Sequence, residues 1–328
     1  MKFLKIFFGI IVSVVCLYLL VRHIDFFALR ESFNRINIFW MLFSSVGVFI
    51  SQWIRSMRWA RLLKPIHSVT NLKSFQIYAV GNMTNLIIPL RGGDILRVWM
   101  MARHLSENKS LILATLVTER LIDLIFFGFL LGISLLLYPL PQWITMSGIM
   151  LVVGSVSLGT LLVFLKMKVI SLNALWKILD IILSVRTIIR LQGIVAGFLE
   201  GVAPLSNARE YVIFLIETIL MWVGQGVFIY LLFYSFGFTE TYHLGVNAAL
   251  LLLALTTVAI TLPSSPGHVG TLHLMCVISL EICGLPTTEA FSYAVVFHAL
   301  FNVILIILGI YGFMGERRNV NFRLKTLP

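Results

Sequence analysis

The sequence predicts an all-α integral membrane protein with about six full transmembrane helices and two re-entrant broken-helix hairpins. Of the 328 residues, 59% are hydrophobic and only 12% are charged, and the mean hydropathy is +0.98. Soluble domains carry about 25% charged residues. Because a backbone amide in lipid needs an internal partner, apolar runs long enough to cross a bilayer must be helices. We therefore treat 1–328 as a single polytopic membrane domain.

Six apolar runs have roughly the 20 residues that a crossing requires. These predicted spans are Phe3–Val21, Ile38–Ile54, Leu111–Tyr138, Met146–Leu165, Tyr211–Phe236 and Ala290–Phe313. The first run follows Lys2 and is compatible with a secretory signal that is later removed. Its length and the absence of a small-residue cleavage pattern before Arg22 favour a retained span.

The Lys and Arg residues orient the spans. The segment 166–209 and the tail after Phe313 are rich in both, whereas the connections 139–145 and 237–243 contain neither. By the positive-inside rule, both termini are predicted to be cytoplasmic, in a plasma (inner) membrane. The segment 166–209 is predicted to be cytoplasmic or interfacial, with an amphipathic helix over 176–191.

One loop does not fit this charge pattern. Arg22, Arg30 and Arg35 lie outside if the larger set of cations after the second span lies inside. That larger set, which decides the orientation, is Arg55, Arg58, Arg61, Lys64 and Lys73. The net charge of +11 is then explained by cations facing anionic headgroups, and no nucleic acid partner is expected.

Two further apolar stretches are broken in the middle. The first, 75–102, contains Pro89 and the pair Gly92-Gly93, and both of its ends lie among Lys and Arg. We expect it to enter and leave on the cytoplasmic side. The second, 244–283, is broken between Pro263 and Gly270. Its arms of about 13 and 16 residues fall short of a full span, which favours half-helices, although two full spans would give the same parity of crossings.

The order of spans and hairpins predicts an inverted-topology repeat. The first repeat covers 38–138 with the hairpin 75–102, and the second covers 211–313 with the hairpin 244–283. Such repeats place a substrate site near the bilayer midplane, where broken helices expose backbone groups. The alternative is that two loops containing Pro and Gly merely join ordinary helices.

Charged residues near the first hairpin form the main candidate site. An ionisable side chain inside a bilayer costs about 2.5–3.5 kcal/mol, so it should face protein, water or a ligand. The predicted substrate-binding set is Arg91, Gly92, Gly93, Asp94, Arg97, Glu119, Arg120 and Asp123. Two interpretations stay open: the arginines bind a lipid phosphate while the carboxylates hold them, or the set is a structural ion-pair network or interface anchor.

The second hairpin and nearby spans add weaker candidates. Those of the hairpin are Pro263, Pro266, Gly267, His268, Gly270 and His273, and the predicted polar residues of the cavity are Glu217, Gln225, His298 and Asn302. Glu217 could bind a cationic headgroup, couple proton movement or hydrogen-bond a neighbouring helix. His268 and His273 do not share a helical face, and nucleotide and dinucleotide motifs are lacking, so neither a metal nor a cofactor is expected.

Three blocks of sequence carry a resemblance to a known family. They are Leu86–Arg97, Thr118–Asp123 and Leu262–Gly270. In their order and spacing the chain resembles the lysylphosphatidylglycerol synthase transmembrane region family, which includes flippase-like proteins, over most of its length. The resemblance implies a multi-span domain that moves aminoacylated or glycosylated lipids between leaflets or assists the enzymes that build them.

The chain also departs from the pattern of this family. Asp94 stands where the family commonly has Glu, and His273 and His298 stand where it more often has an acid and an Arg. About 15 residues follow the last predicted span, so the soluble aminoacyl-transferase domain of longer members is not expected.

The predicted function is non-enzymatic translocation of an anionic phospholipid, an aminoacylated lipid or a lipid-linked glycan. The alternatives are a membrane-embedded transferase acting on a polyprenyl-phosphate or phospholipid, with Asp94, Glu119 or Asp123 as base, and a scaffold for glycolipid assembly. The expected partners are anionic or glycosylated membrane lipids, together with a second copy of the chain or a lipid-synthesis enzyme.

Overall fold

The structure of the protein is a computed structural model. Its described part consists mainly of helices and contains no strand. The described residues are 24–88, 91–138, 141–167, 184–201, 208–261 and 265–325, with single positions between 15 and 22 and between 173 and 179.

Five helices form the first half of the described chain. They are α1 (Phe26–Asn34), α2 (Ile38–Leu63), α3 (Asn71–Ile87), α4 (Gly92–Leu105) and α5 (Lys109–Leu137). Polar side chains cap the start of α1, α2, α3 and α5, because the first backbone N–H groups of a helix have no partner within it. Asp25, for example, accepts a hydrogen bond from the backbone N–H of Phe27 at 2.8 Å.

The second half of the described chain contains seven helices and one short turn. It contains α6 (Gln142–Lys166), α7 (Val185–Gly201), α8 (Ala208–Ser235), α9 (Phe238–Thr241), α10 (Val246–Thr261), a 3-10 turn (Pro266–His268), α11 (Thr271–Ile282) and α12 (Thr287–Lys325).

Five of these helices are long and apolar enough to cross a membrane. They are Ile38–Leu63, Lys109–Leu137, Gln142–Leu161, Arg209–Ser235 and Thr287–Glu316. They overlap five of the six predicted spans, and the all-α integral membrane class is confirmed. The remaining predicted span, Phe3–Val21, lies largely outside the described residues.

Both broken stretches form helical hairpins. In the first, α3 has 17 residues and α4 has 14. In the second, α10 has 16 residues and α11 has 12, which gives lengths of about 24 and 18 Å at 1.5 Å per residue. Each arm of the second hairpin is therefore shorter than the hydrocarbon layer of about 30 Å. These are the lengths of half-helices.

The amphipathic helix expected over 176–191 has different boundaries. The range is divided at Ser184, whose carbonyl oxygen accepts from the N–H groups of Thr187 and Ile188, and α7 runs from Val185 to Gly201. Serine is a favoured residue at a helix start because its hydroxyl can satisfy a free N–H. The helix α7 therefore covers the second part of the predicted range, and residues 180–183 lie outside the described part of the chain.

The helix contacts pair the two halves of the chain. The helix α2 packs on α8, α3 packs on α12, and α10 packs on α5, while α4 and α11 each pack between their hairpin partner and the following long helix. Exchanging α2, α3, α4 and α5 with α8, α10, α11 and α12 leaves this set of contacts unchanged. The division into inverted repeats, with its opposite sidedness, stays a prediction.

Two glycines allow the closest of these contacts. A Cβ atom on Gly47 of α2 would lie 2.6 Å from the carbonyl oxygen of Gly224 in α8 and 2.9 Å from the backbone nitrogen of Phe228. Small residues let helix backbones approach closely in membranes, where helix association depends on van der Waals packing rather than on the hydrophobic effect. The backbones of α2 and α8 are therefore in direct contact where the two helices cross.

Candidate functional site

The break of the first hairpin lies at Arg91, between α3 and α4. Arg91 has a φ of 56°, in the left-handed region that residues other than glycine seldom adopt. Gly93 lets α4 approach α3, because a Cβ there would lie 1.9 Å from the carbonyl oxygen of Gly81. A Cβ on Gly92 would lie 2.2 Å from Cγ2 of Ile88. The glycine pair thus serves close packing at the start of α4.

The break of the second hairpin is a short turn with three left-handed residues. Gly267, His268 and Gly270 have φ values of 69°, 58° and 89°. Pro266 begins the 3-10 turn, and the N–H of Gly270 donates to Nδ1 of His273 at 3.3 Å. Pro263, which was predicted to belong to this break, lies outside the described residues.

The two breaks meet inside the protein. Nη2 of Arg91 donates to the carbonyl oxygen of Ile260 in α10 at 3.4 Å. From α12, Nε2 of His298 donates to the carbonyl oxygen of Gly267 at 2.7 Å, and Nδ2 of Asn302 lies 2.9 Å from the same ring nitrogen. The ring of His273 lies 4.7 Å from that of His298, edge to face. The second break is therefore held between α12 and the first hairpin.

A cavity of about 500 Å³ lies between the two breaks and the long helices, within the range of about 300–1,000 Å³ typical of ligand pockets. Its charged lining residues are Arg55, Arg91, Arg120 and Asp123. Its neutral polar lining residues include Gln52, Tyr78, Asn82, Asn85, Gln225, Thr257, His268, His298 and Asn302. Most of this polar surface comes from side chains far apart in sequence.

Asp94 lies behind the cavity wall and holds Arg120. Nη2 of Arg120 donates to both carboxylate oxygens of Asp94, at 3.1 and 3.2 Å. Asn85 joins the two arms of the hairpin: its side-chain amide donates to Asp94 at 3.3 Å, and its carbonyl oxygen accepts from the backbone N–H of Asp94. Asp94 also lies in the first turn of α4, where the helix dipole favours a negative charge.

Arg97 and Glu119 form a fully buried ion pair. Nη2 of Arg97 lies 2.7 Å from Oε2 of Glu119, and neither side chain is accessible to solvent. The guanidinium carbon of Arg97 lies 4.3 Å from the ring centroid of Trp59 and 4.8 Å from that of Tyr78. Stacking of this kind suits the planar, weakly hydrated guanidinium group. This pair fixes α4 against α5 and does not line the cavity.

The arginines of α2 were missed as site residues by the sequence reasoning. Arg58 is fully buried, and its Nη2 donates to Oδ1 of Asp123 at 2.5 Å while Nη1 donates to Thr218 at 3.2 Å. Nη1 of Arg55 lies 3.6 Å from Oδ2 of Asp123. They had been counted as loop cations after a span ending at Ile54. Arg55, Arg58 and Arg61 recur every three residues, a spacing that indicates one helical face.

Glu217 does not line the cavity, so that placement was wrong. Nη2 and Nε of Arg61 donate to its two carboxylate oxygens, at 2.7 and 3.0 Å. Arg61 also pairs with Glu210, which accepts from Lys64 at 2.6 Å. Glu217 lies two turns before Gln225 along α8, so it reaches the end of α2 instead. Its role is the contact with a neighbouring helix.

Apart from Glu217 and Pro263, the predicted site residues divide into two groups. Those that line the cavity are Arg91, Arg120, Asp123, Gln225, Gly267, His268, His298 and Asn302. Those that pack behind it are Gly92, Gly93, Asp94, Arg97, Glu119, Pro266, Gly270 and His273. The second group positions members of the first through the contacts given above.

The charges around the cavity do not cancel. The connected group contains five arginines, at 55, 58, 91, 97 and 120, and three carboxylates, at 94, 119 and 123. Two positive charges are therefore uncompensated within the described part of this group. Arginine keeps its proton in proteins, and a buried charge is costly without a partner. The arrangement is suited to an anionic ligand.

Comparison with known families agrees with this architecture. A family model described as Lysylphosphatidylglycerol synthase TM region matches residues 6–309. The chain belongs to this family. No curated protein and no solved structure matches the chain. Membership in the lysylphosphatidylglycerol synthase TM region family makes it a multi-pass membrane protein concerned with lipid handling.

Proposed function

We propose that this member of the family moves an anionic lipid between the leaflets of the plasma membrane, with both of its termini in the cytoplasm. The candidate substrates are an anionic phospholipid, an aminoacylated lipid and a lipid-linked glycan, which share a phosphate group. The observation that carries the proposal is a cavity lined by three arginines and one carboxylate inside a membrane-spanning helical protein.

Three arginines on separate elements converge on this cavity. Arg55 comes from α2, Arg91 from the break of the first hairpin and Arg120 from α5. Guanidinium groups bind phosphate through paired N–H donors in a fixed planar geometry. Arg91 forms no ion pair within the described residues, and its one hydrogen bond there is to the carbonyl oxygen of Ile260. Donors are thus available for a headgroup.

The carboxylates support transport rather than a transferase reaction. Glu119 is fully buried behind the cavity, Asp94 accepts from Arg120 and Asn85, and Asp123 accepts from Arg58. A general base must lie within reach of the proton that it abstracts. In this arrangement the three acids hold arginines in place, and the proposed role is non-enzymatic.

The test is leaflet exchange by the purified protein in phosphatidylcholine vesicles containing a fluorescent phosphatidylglycerol. A membrane-impermeant reductant that bleaches the outer leaflet reports the rate. We expect faster exchange of the phosphatidylglycerol than of a fluorescent phosphatidylcholine. Conversion of lipid into a new product when candidate donors are added would indicate the transferase instead. No acceleration for any anionic lipid would favour the scaffold.

Variants of Arg120 and Asp94 distinguish a role of Arg120 in ligand binding from a role in structural support. Arg120→Gln should slow exchange and lower thermal stability, because Asp94 loses its partner. Adding Asp94→Asn removes that uncompensated charge and should restore thermal stability in detergent but not exchange. Restoration of both properties in the double variant would show that Arg120 serves Asp94 alone and would count against the headgroup site.

A further inference from the structure

A second, apolar compartment lies beside the polar cavity. It is a groove of about 290 Å³ between α5, α8 and α10, and the surface that it exposes is entirely apolar. Residues that represent the three helices are Phe126 and Leu130 on α5, Trp222 and Gly226 on α8, and Val246 and Leu250 on α10. We call it the α5/α8/α10 groove.

This groove adjoins the cavity that holds the arginines. Trp222 lines both compartments, and on α8 the neighbouring residues Gln225 and Gly226 line the cavity and the groove respectively. Along α10 the groove ends at Leu253 and the cavity begins at Thr257, one helical turn or about 6 Å further on. A molecule with a polar end and an apolar end could therefore occupy both.

Trp222 stands at the junction with an unused donor. The residue is 6% exposed, and its Nε1 has no hydrogen-bond partner among the described residues. Buried indole N–H groups usually have an acceptor. The guanidinium of Arg55 lies 5.6 Å from the centroid of the Trp222 ring. The junction thus combines a cation, a free donor and an aromatic surface.

The groove is open toward the membrane, unlike the corresponding place in the first half. Val223, Val227 and Val246 border it and are 52%, 41% and 61% exposed. The matching flank, between α2, α3 and α12, is filled by aromatic side chains. There the ring of Phe75 lies 4.9 Å from that of Trp53 and 6.4 Å from that of Tyr311.

We propose that the α5/α8/α10 groove holds one hydrocarbon chain of the lipid whose phosphate-bearing headgroup occupies the cavity, with Trp222 lying between the two ends of the molecule. The inference rests on the proposed function and extends it, because it identifies the ligand as a long-chain lipid held at both ends. Transfer of a chain from bilayer to groove gains little hydrophobic free energy. The groove therefore selects and orients the chain by its shape.

Gly226 offers a way to fill the groove without disturbing the fold. It lies in the middle of α8, and a Cβ on it would meet no atom within 4 Å. Leucine is also a better helix former than glycine. Gly132 on α5 is a matched control, because it is equally open, is exposed and lines neither compartment.

The experiment uses a phosphatidylglycerol with a photoreactive diazirine in one acyl chain, in phosphatidylcholine vesicles containing the full-length protein. After irradiation, mass spectrometry locates the cross-links. We expect them to concentrate on the groove residues of α5, α8 and α10. Gly226→Leu should reduce the cross-links at least about fivefold, because the added side chain competes with the acyl chain for the same space; this factor is the smaller end of the cost of overpacking. Gly132→Leu should leave the cross-links unchanged. Gly226→Ala, with less added volume, should have an intermediate effect.

Two outcomes would overturn the proposal. One is cross-links spread evenly over lipid-facing helices such as α6, and the other is an equal yield from Gly226→Leu and Gly132→Leu. Cross-linking measures binding and not transport. If the groove is labelled as expected but the protein shows no leaflet exchange, the chain site stands and the proposed translocation is rejected.

Discussion

The hairpin around Arg91 and the hairpin around His268 make corresponding packing contacts, yet their side chains differ in kind. The first carries Arg91, Asp94 and Arg97, each close to its break. The second contains no Asp, Glu, Lys or Arg from Leu244 to Leu280. The first hairpin is joined to α5 by ion pairs, whereas the second is joined to α12 by neutral hydrogen bonds and ring contacts.

The charged side chains near the two breaks therefore belong to the first hairpin, whereas the second hairpin contributes only neutral side chains there. Ion pairs buried in a membrane protein are expensive unless each member is matched, so the first hairpin can change little without loss of stability. Neutral hydrogen bonds contribute only about 0.5–1.5 kcal/mol each. We therefore expect the second hairpin to tolerate substitution better.

The largest effect is expected from Arg97→Met. Glu119 would then be buried without a hydrogen-bonding arginine, at a cost of about 3–5 kcal/mol. Unfolding in detergent, followed by heat or denaturant, measures the loss. In the Arg97→Met background, Glu119→Gln removes the unpaired charge and should recover most of the stability. Losses that simply add in the double variant would show that the pair is not coupled.

A smaller effect, on function rather than stability, is expected from Arg91→Gln. Arg91 faces the cavity and hydrogen-bonds only the carbonyl oxygen of Ile260 among the described residues. Loss of a charge-assisted contact worth about 1.5–3 kcal/mol should weaken headgroup binding by roughly 10- to 150-fold. Arg91→Lys should also weaken it, since a point charge does not replace a planar fork. A fall in thermal stability as large as that of Arg97→Met would contradict a ligand-facing role.

The smallest effect is expected from His298→Leu in the uncharged half. The carbonyl oxygen of Gly267 would lose its donor, at a cost of about 1 kcal/mol. His298→Gln keeps an N–H donor and should lose less. If His298→Leu proved as destabilising as Arg97→Met, the two hairpins would not differ in the way proposed, and the polar contact at Gly267 would be equally essential.

The positions of both breaks were predictable from the sequence. Pro89 with Gly92 and Gly93, and Pro266 with Gly267 and Gly270, interrupt apolar stretches at their middle, and proline and glycine act locally. The spans were predictable for a similar reason, because hydropathy is summed over neighbouring residues.

The pairing of charges was not predictable, because it depends on helices far apart in sequence. Arg58 pairs with Asp123 and Arg61 with Glu217, and no local pattern identifies these partners. For the same reason the end of α2 was placed too early. From the sequence alone, its arginines are interpreted as loop cations. Once their carboxylate partners are known, they can be placed within a helix that continues to Leu63.

The unequal count of arginines and carboxylates around the cavity has an electrical consequence. With five of one and three of the other, the empty cavity carries positive charge into the field across the membrane. Moving one charge through a potential of 100 mV involves about 2.3 kcal/mol. A negative interior attracts this surplus positive charge, and a bound anionic headgroup reduces that attraction. If the protein moves lipid as proposed, we therefore expect the rate of leaflet exchange to depend on the membrane voltage.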